Sequence, residues 1–177
     1  VLQREVCERM AERLDYIKLK PGIVLDAGSG TGHGARGLAE RYPGATVMEL
    51  DLALGMLKQG EQDGSRWKQI FARRSPSRKV CADLEALPLK HAGVELLWSN
   101  LALQWCDDLP RVFSEMHRVL KVDGLLMFST LGPDTLKELR QAFQGVDRHT
   151  HVNQFVDMHD IGDMLMRCGF ADPVMDM

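Results

Sequence analysis

Apolar residues at Leu2, Val6, Met10, Leu14 and Ile17 recur at helical spacing, which predicts an amphipathic helix over residues 2–17, closed by Lys20-Pro21-Gly22. The next apolar run, Ile23-Val24-Leu25, is short and continuous, the pattern of a strand buried on both faces, and it breaks at once into a glycine-rich turn. A helical period resumes over residues 33–42. The alternation then repeats, with a strand over 45–50, a helix over 52–59, and strands over 79–82 and 94–99. Further on, the pattern predicts a helix over 109–120, a strand over 125–130, and a helix over 133–143 with Pro133 at its start. The last helix is predicted over 156–168 with Gly169 as its stop, and Val174-Met175 is expected to begin another strand. Strands alternating with helices imply a doubly wound α/β fold around a mostly parallel sheet, with ligands bound beyond the carboxyl ends of the strands. Residues 60–78 lack a period and read as a loop insertion carrying Arg73, Arg74, Arg78 and Lys79 around Ser75-Pro76-Ser77.

Composition narrows this picture. A chain of 177 residues, 45% hydrophobic and 27% charged, is the size of one domain with a real core. A net charge of -3 exerts no general pull toward nucleic acid or an anionic membrane, so neither is an expected partner. The four cysteines, Cys7, Cys81, Cys106 and Cys168, form no C-x-x-C pair, which argues against a zinc site or a disulfide framework and for reduced thiols. With no bilayer-length apolar run and no charged-then-apolar leader, the chain is expected to be soluble and cytoplasmic. It opens at Val1 inside a helical pattern, so a preceding segment is expected.

The chemistry begins in the turn Asp26-Ala27-Gly28-Ser29-Gly30-Thr31-Gly32. Glycines at Gly28, Gly30 and Gly32 let the backbone approach a ligand closely and aim helix N-terminal amides at a negative group. Alone the turn also suits a dinucleotide, because Gly30-x-Gly32-x-x-Ala35 fits the permissive G-x-G-x-x-A form. Asp26 tips the balance toward S-adenosylmethionine, whose ammonium needs an acid where a pyrophosphate does not; its alternative role is to cap the turn. Asp51, followed by Leu52, ends the second strand about twenty residues on, where an acid accepts from both ribose hydroxyls. Asp83-Leu84 follows the third strand, placed to read adenine or simply to form a turn. Ser99-Asn100-Leu101 follows the fourth, where backbone carbonyls at Asn100 suit the methionine ammonium.

These ordered elements resemble the motifs of class I methyltransferases. A closer similarity rests on Leu50-Asp51-Leu52-Ala53-Leu54-Gly55-Met56-Leu57 and on Trp98-Ser99-Asn100-Leu101-Ala102-Leu103-Gln104-Trp105. It extends over Phe128-Ser129-Thr130-Leu131-Gly132-Pro133-Asp134-Thr135-Leu136-Lys137-Glu138-Leu139-Arg140 and Met158-His159-Asp160-Ile161-Gly162. Together they resemble the malonyl-acyl-carrier-protein O-methyltransferases of biotin synthesis; a family of complex I assembly factors that hydroxylate an arginine shares parts of them. The resemblance implies the Rossmann-like class I methyltransferase fold in one domain over 1–177, truncated at both ends relative to the family. It also implies S-adenosyl-L-methionine as cofactor, S-adenosyl-L-homocysteine as product, and malonyl-acyl carrier protein or malonyl-coenzyme A as substrate. Glu95 stands where that family more often has aspartate.

On the acceptor side, Ser99-Asn100-Leu101-Ala102 is not an Asn-Pro-Pro-aromatic loop, which disfavours amino methylation, and no Pro-Cys pair offers the nucleophile for pyrimidine carbon. Trp105 is a candidate wall of the substrate pocket. Arg140 is the candidate anchor for the malonyl carboxylate, since a guanidinium holds a carboxylate bidentately; its alternative is a solvent-facing helical arginine. The basic run at 73–79 is a candidate dock for the acidic carrier. His149, His151 and His159 lack further ligands in ordered spacing, so no metal is expected and they read as surface or substrate-facing residues.

Overall fold

The computed structural model describes residues 1–63, 78–143, 146, 149 and 151–176. Its five strands are β1 (Ile23–Ala27), β2 (Thr46–Asp51), β3 (Arg78–Cys81), β4 (Val94–Asn100) and β5 (Leu120–Ser129). They form one sheet in the order β3-β2-β1-β4-β5, and every pairing is parallel, where the sequence suggested a mostly parallel sheet. The order reverses between β1 and β4, which opens a crevice at their carboxyl ends.

The helices are α1 (Leu2–Arg13), α2 (His33–Arg41), α3 (Leu54–Asp63), α4 (Leu109–Val119), α5 (Lys137–Phe143) and α6 (Met158–Arg167). Alternate strand positions feed two separate cores. Val24, Val47, Leu96 and Trp98 pack with Cys7 and Met10 of α1 and with Ala35 and Leu38 of α2. Leu25, Leu50 and Leu97 face the other way, onto Val112, Phe113 and Met116 of α4 and Ile161 and Leu165 of α6. A sheet covered on both faces needs near-continuous apolar strands, which is what made β1 and β4 legible. No helix among the described residues is long and apolar enough to cross a membrane.

Several boundaries differ from the sequence reading, each for a local reason. α1 stops at Arg13, and Leu14–Tyr16 tightens into a 3₁₀ turn. α3 starts at Leu54 because Asp51 folds back to accept the Ala53 N–H at 2.8 Å, and it runs on to Asp63, into the expected loop. β5 starts at Leu120, straight out of α4, with a register shift opposite residues 94–96 and Asp123 at φ 62°; the polar run Lys121-Val122-Asp123-Gly124 hid this stretch. α5 starts at Lys137 rather than at 133, since Leu136 takes φ 56° and interrupts any helix begun at Pro133. Val174 and Met175 form no strand; Met175 instead lies against Gly162 of α6. Glu95 ties the amino end of the sheet, accepting from Gly22 N–H, from Ile23 N–H at 3.1 Å and from Lys121 Nζ at 2.5 Å. Those donors, Lys121 first, hold its carboxyl below the usual range, at the far end of the sheet from the glycine turn.

Candidate functional site

β1 carries the chain to the carboxyl edge of the sheet, where Gly28 N–H and Ser29 N–H donate to the Leu50 carbonyl at 2.8 and 3.0 Å. Gly28 sits at φ 78°, and a Cβ there would run into the Ala102 methyl, so the turn packs directly on the segment that follows β4. Gly30 N–H donates to Asp51 Oδ2 at 2.8 Å while Asp51 Oδ1 takes the Ala53 N–H. Asp51 thus locks the glycine turn to the β2–α3 corner. Each of its oxygens keeps lone-pair capacity for a further donor such as a ribose hydroxyl. Gly32, at φ 75°, is the N-cap of α2.

Below the turn lie acids that face the α1–α2 side. Asp26 stands in register with Glu49 on β2 and with Trp98 on β4, and the two carboxylates are only 2% and 5% exposed. Asp26 accepts from the Ala35 N–H, as a cap of the turn and of α2 would. Its Oδ2 and the Trp98 Nε1 have no partner among the described residues, and both border Gly34, where a Cβ would come within 2.9 and 3.1 Å of them. Burial, then the neighbouring Glu49, push the Asp26 carboxyl up to about 7, against the lowering effect of the Ala35 N–H. A carboxyl whose folded pKa is raised stabilises the fold while protonated, and that stability is lost as pH rises toward the folded value. Asp26→Asn is therefore expected to melt about 3–6 °C above wild type at pH 8, roughly 1–2 kcal/mol, with the gap narrowing as the pH falls below about 7 and closing toward about pH 4. Melting curves that stay parallel across that range would remove the buried proton from the account.

Leu52 is exposed at the rim, and Leu84 is buried in the core below Asp83. Asp83 realises its turn role, since its Oδ1 accepts the Glu85 N–H at 2.9 Å, yet the side chain remains at the surface beside the end of β3. Past β4, Ser99 Oγ donates to the Ala27 carbonyl at 2.8 Å and fixes β4 to β1. The Asn100 amide accepts from Ser129 Oγ at 2.8 Å and donates to the Gln3 carbonyl at 2.9 Å, tying β5 and α1 to the crevice. Leu101 turns at φ 50°, and its carbonyl accepts from Gln104 Nε2 at 2.7 Å.

Beyond β4 and β5 lies a small cavity of about 40 Å³, lined in part by Gln104, Cys106, Phe113, Thr130, Leu131 and Phe155. Gln104 Oε1 is buried without a partner among the described residues. Trp105 is 73% exposed beside this cavity. Arg140 is half-buried: its guanidinium donates to the carbonyls of Pro133 at 3.3 Å, Thr135 at 3.5 Å and Asn153 at 3.3 Å, and its buried Nε has no partner among the described residues. His151 stacks on Phe143 with ring centroids 4.2 Å apart, and His159 Nδ1 lies 2.9 Å from its capping partner Asp157 at the start of α6. Of the expected basic dock, Arg73 and Arg74 lie outside the described residues. Lys79 is turned inward, 3.8 Å from Glu49 and donating to the Leu57 carbonyl at 2.6 Å, so it offers little to a docking surface.

A methyltransferase domain family matches residues 25–128, from β1 through β5. The chain belongs to that family. This methyltransferase domain is 64% identical, over its whole length, to the malonyl-[acyl-carrier protein] O-methyltransferase of Gallionella capsiferriformans, and covers 61% of that relative. It is 61% identical to the protein of the same name from Laribacter hongkongensis, covering 60% of it. The chain thus spans about three fifths of the length of the curated relatives it matches. Among solved structures, the S-adenosylmethionine-dependent methyltransferase of Mesorhizobium loti superposes with a TM-score of 0.70 at 23% identity, over 96% of this chain and 83% of that one. Haemonchus contortus phosphoethanolamine N-methyltransferase 2 gives 0.73 at 22% identity, over 93% of this chain and 37% of that one. At such identities the likeness is one of fold.

Glu49, buried under the turn, and Gln104, lining the small cavity, are the candidates that sequence reasoning passed over. Glu49 had a signal: in a buried strand it shares the parity of Asp51, so it points to the same face two residues earlier.

Proposed function

We propose that this methyltransferase domain uses S-adenosyl-L-methionine to esterify the free carboxylate of malonyl-acyl carrier protein in the cytoplasm. The observation that carries the reading is the 64% identity to a malonyl-[acyl-carrier protein] O-methyltransferase along the entire chain. The site's chemistry fits the cofactor. At Gly30 a Cβ would meet nothing nearer than Met56 Cε at 3.7 Å, so the main-chain edge of the turn is open to a ligand. In this reading Asp51 accepts from the ribose hydroxyls, Asp83 and Leu84 meet the adenine, and Gly28, Gly30 and Gly32 give close backbone approach. The carbonyls around Asn100, with the buried Asp26 behind them, receive the ammonium.

When bound, the cofactor supplies an electrophilic methyl group on a sulfonium sulfur. A carboxylate acceptor is already ionised at neutral pH, so the chain needs no general base. Its own residues align the nucleophile and keep water out. Trp105, exposed beside the small cavity, flanks the approach of the acceptor, and Arg140 anchors the malonyl carboxylate at the junction of the 133–136 and 153–156 segments. Titration with S-adenosylhomocysteine and with NAD(P) tests the cofactor half: tight binding of the first and none of the second is expected, and the reverse would restore the dinucleotide reading. Formation of a methyl ester on malonyl-acyl carrier protein tests the acceptor half, with malonyl-coenzyme A as the competing carrier. Cofactor binding without ester formation would favour an assembly factor.

A further inference from the structure

We propose that Glu49 and Lys79 form a buried brace that holds the glycine turn at its working distance from α3, making Glu49 a positioning residue for cofactor binding. The inference rests on the cofactor reading above. Glu49 is 5% exposed, and a carboxylate taken out of water persists there only with compensation. Lys79 Nζ, 3.8 Å away, supplies it. The Glu49 Oε2 occupies the space beside Gly32 where a Cβ would stand, so the carboxylate itself fills the underside of the turn. Its negative charge also lies at the N-terminus of α2, where the helix dipole favours an anion.

The other end of the brace reaches α3. Lys79 donates to the Leu57 carbonyl at 2.6 Å, and one turn later Gly60 packs so closely on the Thr31 carbonyl that a Cβ would come within 2.6 Å of it. Thr31 and Gly32 of the turn, and Leu57 and Gly60 of α3, are therefore spaced by two side chains from β2 and β3. Asp51, two residues beyond Glu49, stands between the same elements, taking Gly30 N–H on one side and Ala53 N–H on the other. Arg36 adds a second cation, donating to the Thr31 carbonyl at 2.9 Å. Asp26 is the opposing acid, in register with Glu49. Without Lys79, Glu49 would lose that cation beside the buried Asp26, and the turn would shift to admit water. Glu49 then acts on the ligand through Gly32 and α3, without touching it.

Calorimetric Kd values for S-adenosylhomocysteine on the full chain test this, using Glu49→Gln, Lys79→Met and the double variant. Each single change is expected to weaken binding about 10-fold, and the double about as much as either alone, because both remove one brace. Lys79→Arg should recover most of the affinity. Folded single variants that bind within twofold of wild type, or losses that multiply in the double variant, would overturn the brace while leaving the cofactor reading intact. A wild-type protein that binds no S-adenosylhomocysteine would overturn both. Should Glu49→Gln not fold, Lys79→Met carries the test alone, since methionine keeps most of the length of the largely buried Lys79 stem.

Discussion

Replacing Arg140 by methionine is expected to lower kcat/KM for malonyl thioesters by roughly 100-fold or more, the scale expected when a bidentate ion pair is removed from a desolvated pocket. The guanidinium is half-buried, and its described partners are neutral carbonyls at 3.3 to 3.5 Å, with Nε buried and unpaired among the described residues. Neutral acceptors at these lengths compensate a desolvated cation poorly, so under the proposed function an incoming carboxylate would complete the site. Methylation would then remove that charge, and dissolution of the ion pair would help the ester to leave. Arg140→Lys should recover only part of the rate, because an ammonium keeps the charge without the planar fork. A purely mechanical role, pinning residues 133–136 to Asn153, predicts something different. In that case the Met variant would lose malonyl and acetyl thioester binding together, whereas an anchor loses the malonyl preference alone. Inhibition by acetyl-carrier protein, compared between wild type and variant, separates the two.

Asp51→Ala is expected to weaken S-adenosylhomocysteine binding by about 3 kcal/mol, more than 100-fold. Two contributions add: the ribose hydroxyls lose a charged acceptor, and the N–H groups of Gly30 and Ala53 lose the carboxylate that holds them 2.8 Å away on either side. The second contribution gives a sharper test. An asparagine at this position can accept one of those N–H groups but must turn its own NH₂ toward the other. Asp51→Asn should therefore bind nearly as poorly as Asp51→Ala. An asparagine variant within threefold of wild type, by calorimetry on folded protein, would show that Asp51 is not the lock between turn and corner.

Glycine spacing and Asp51 were legible in the sequence because the backbone conformations they serve are local. Gly28 and Gly32 occupy positive φ, and Asp51 lies at a strand end that a buried apolar run announces. The two-faced sheet was legible for the same reason. What stayed hidden depends on neighbours distant in sequence. Lys79 reads as part of a basic surface run until β3 pairs with β2 in register and brings it to Glu49. Asn100 reads as a supplier of carbonyls, yet its side chain is taken up by Ser129 and Gln3. The start of β5 was masked by a polar bulge, and the start of α5 by the positive φ of Leu136, which no periodicity reports. Arg140 was singled out by its residue type alone, and its three carbonyl partners belong to segments without regular structure.

Transfer of a labelled methyl group from S-adenosylmethionine to malonyl-acyl carrier protein tests the central claim most directly. The full-length protein is expected to form a base-labile methyl ester on the malonyl group, to leave acetyl-carrier protein unlabelled, and to lose most of its rate when Arg140 becomes methionine or Asp51 alanine. Label that appears on the acetyl carrier as readily as on the malonyl one, or that resists mild base, would place the methyl group on an acceptor other than the free carboxylate and contradict the account.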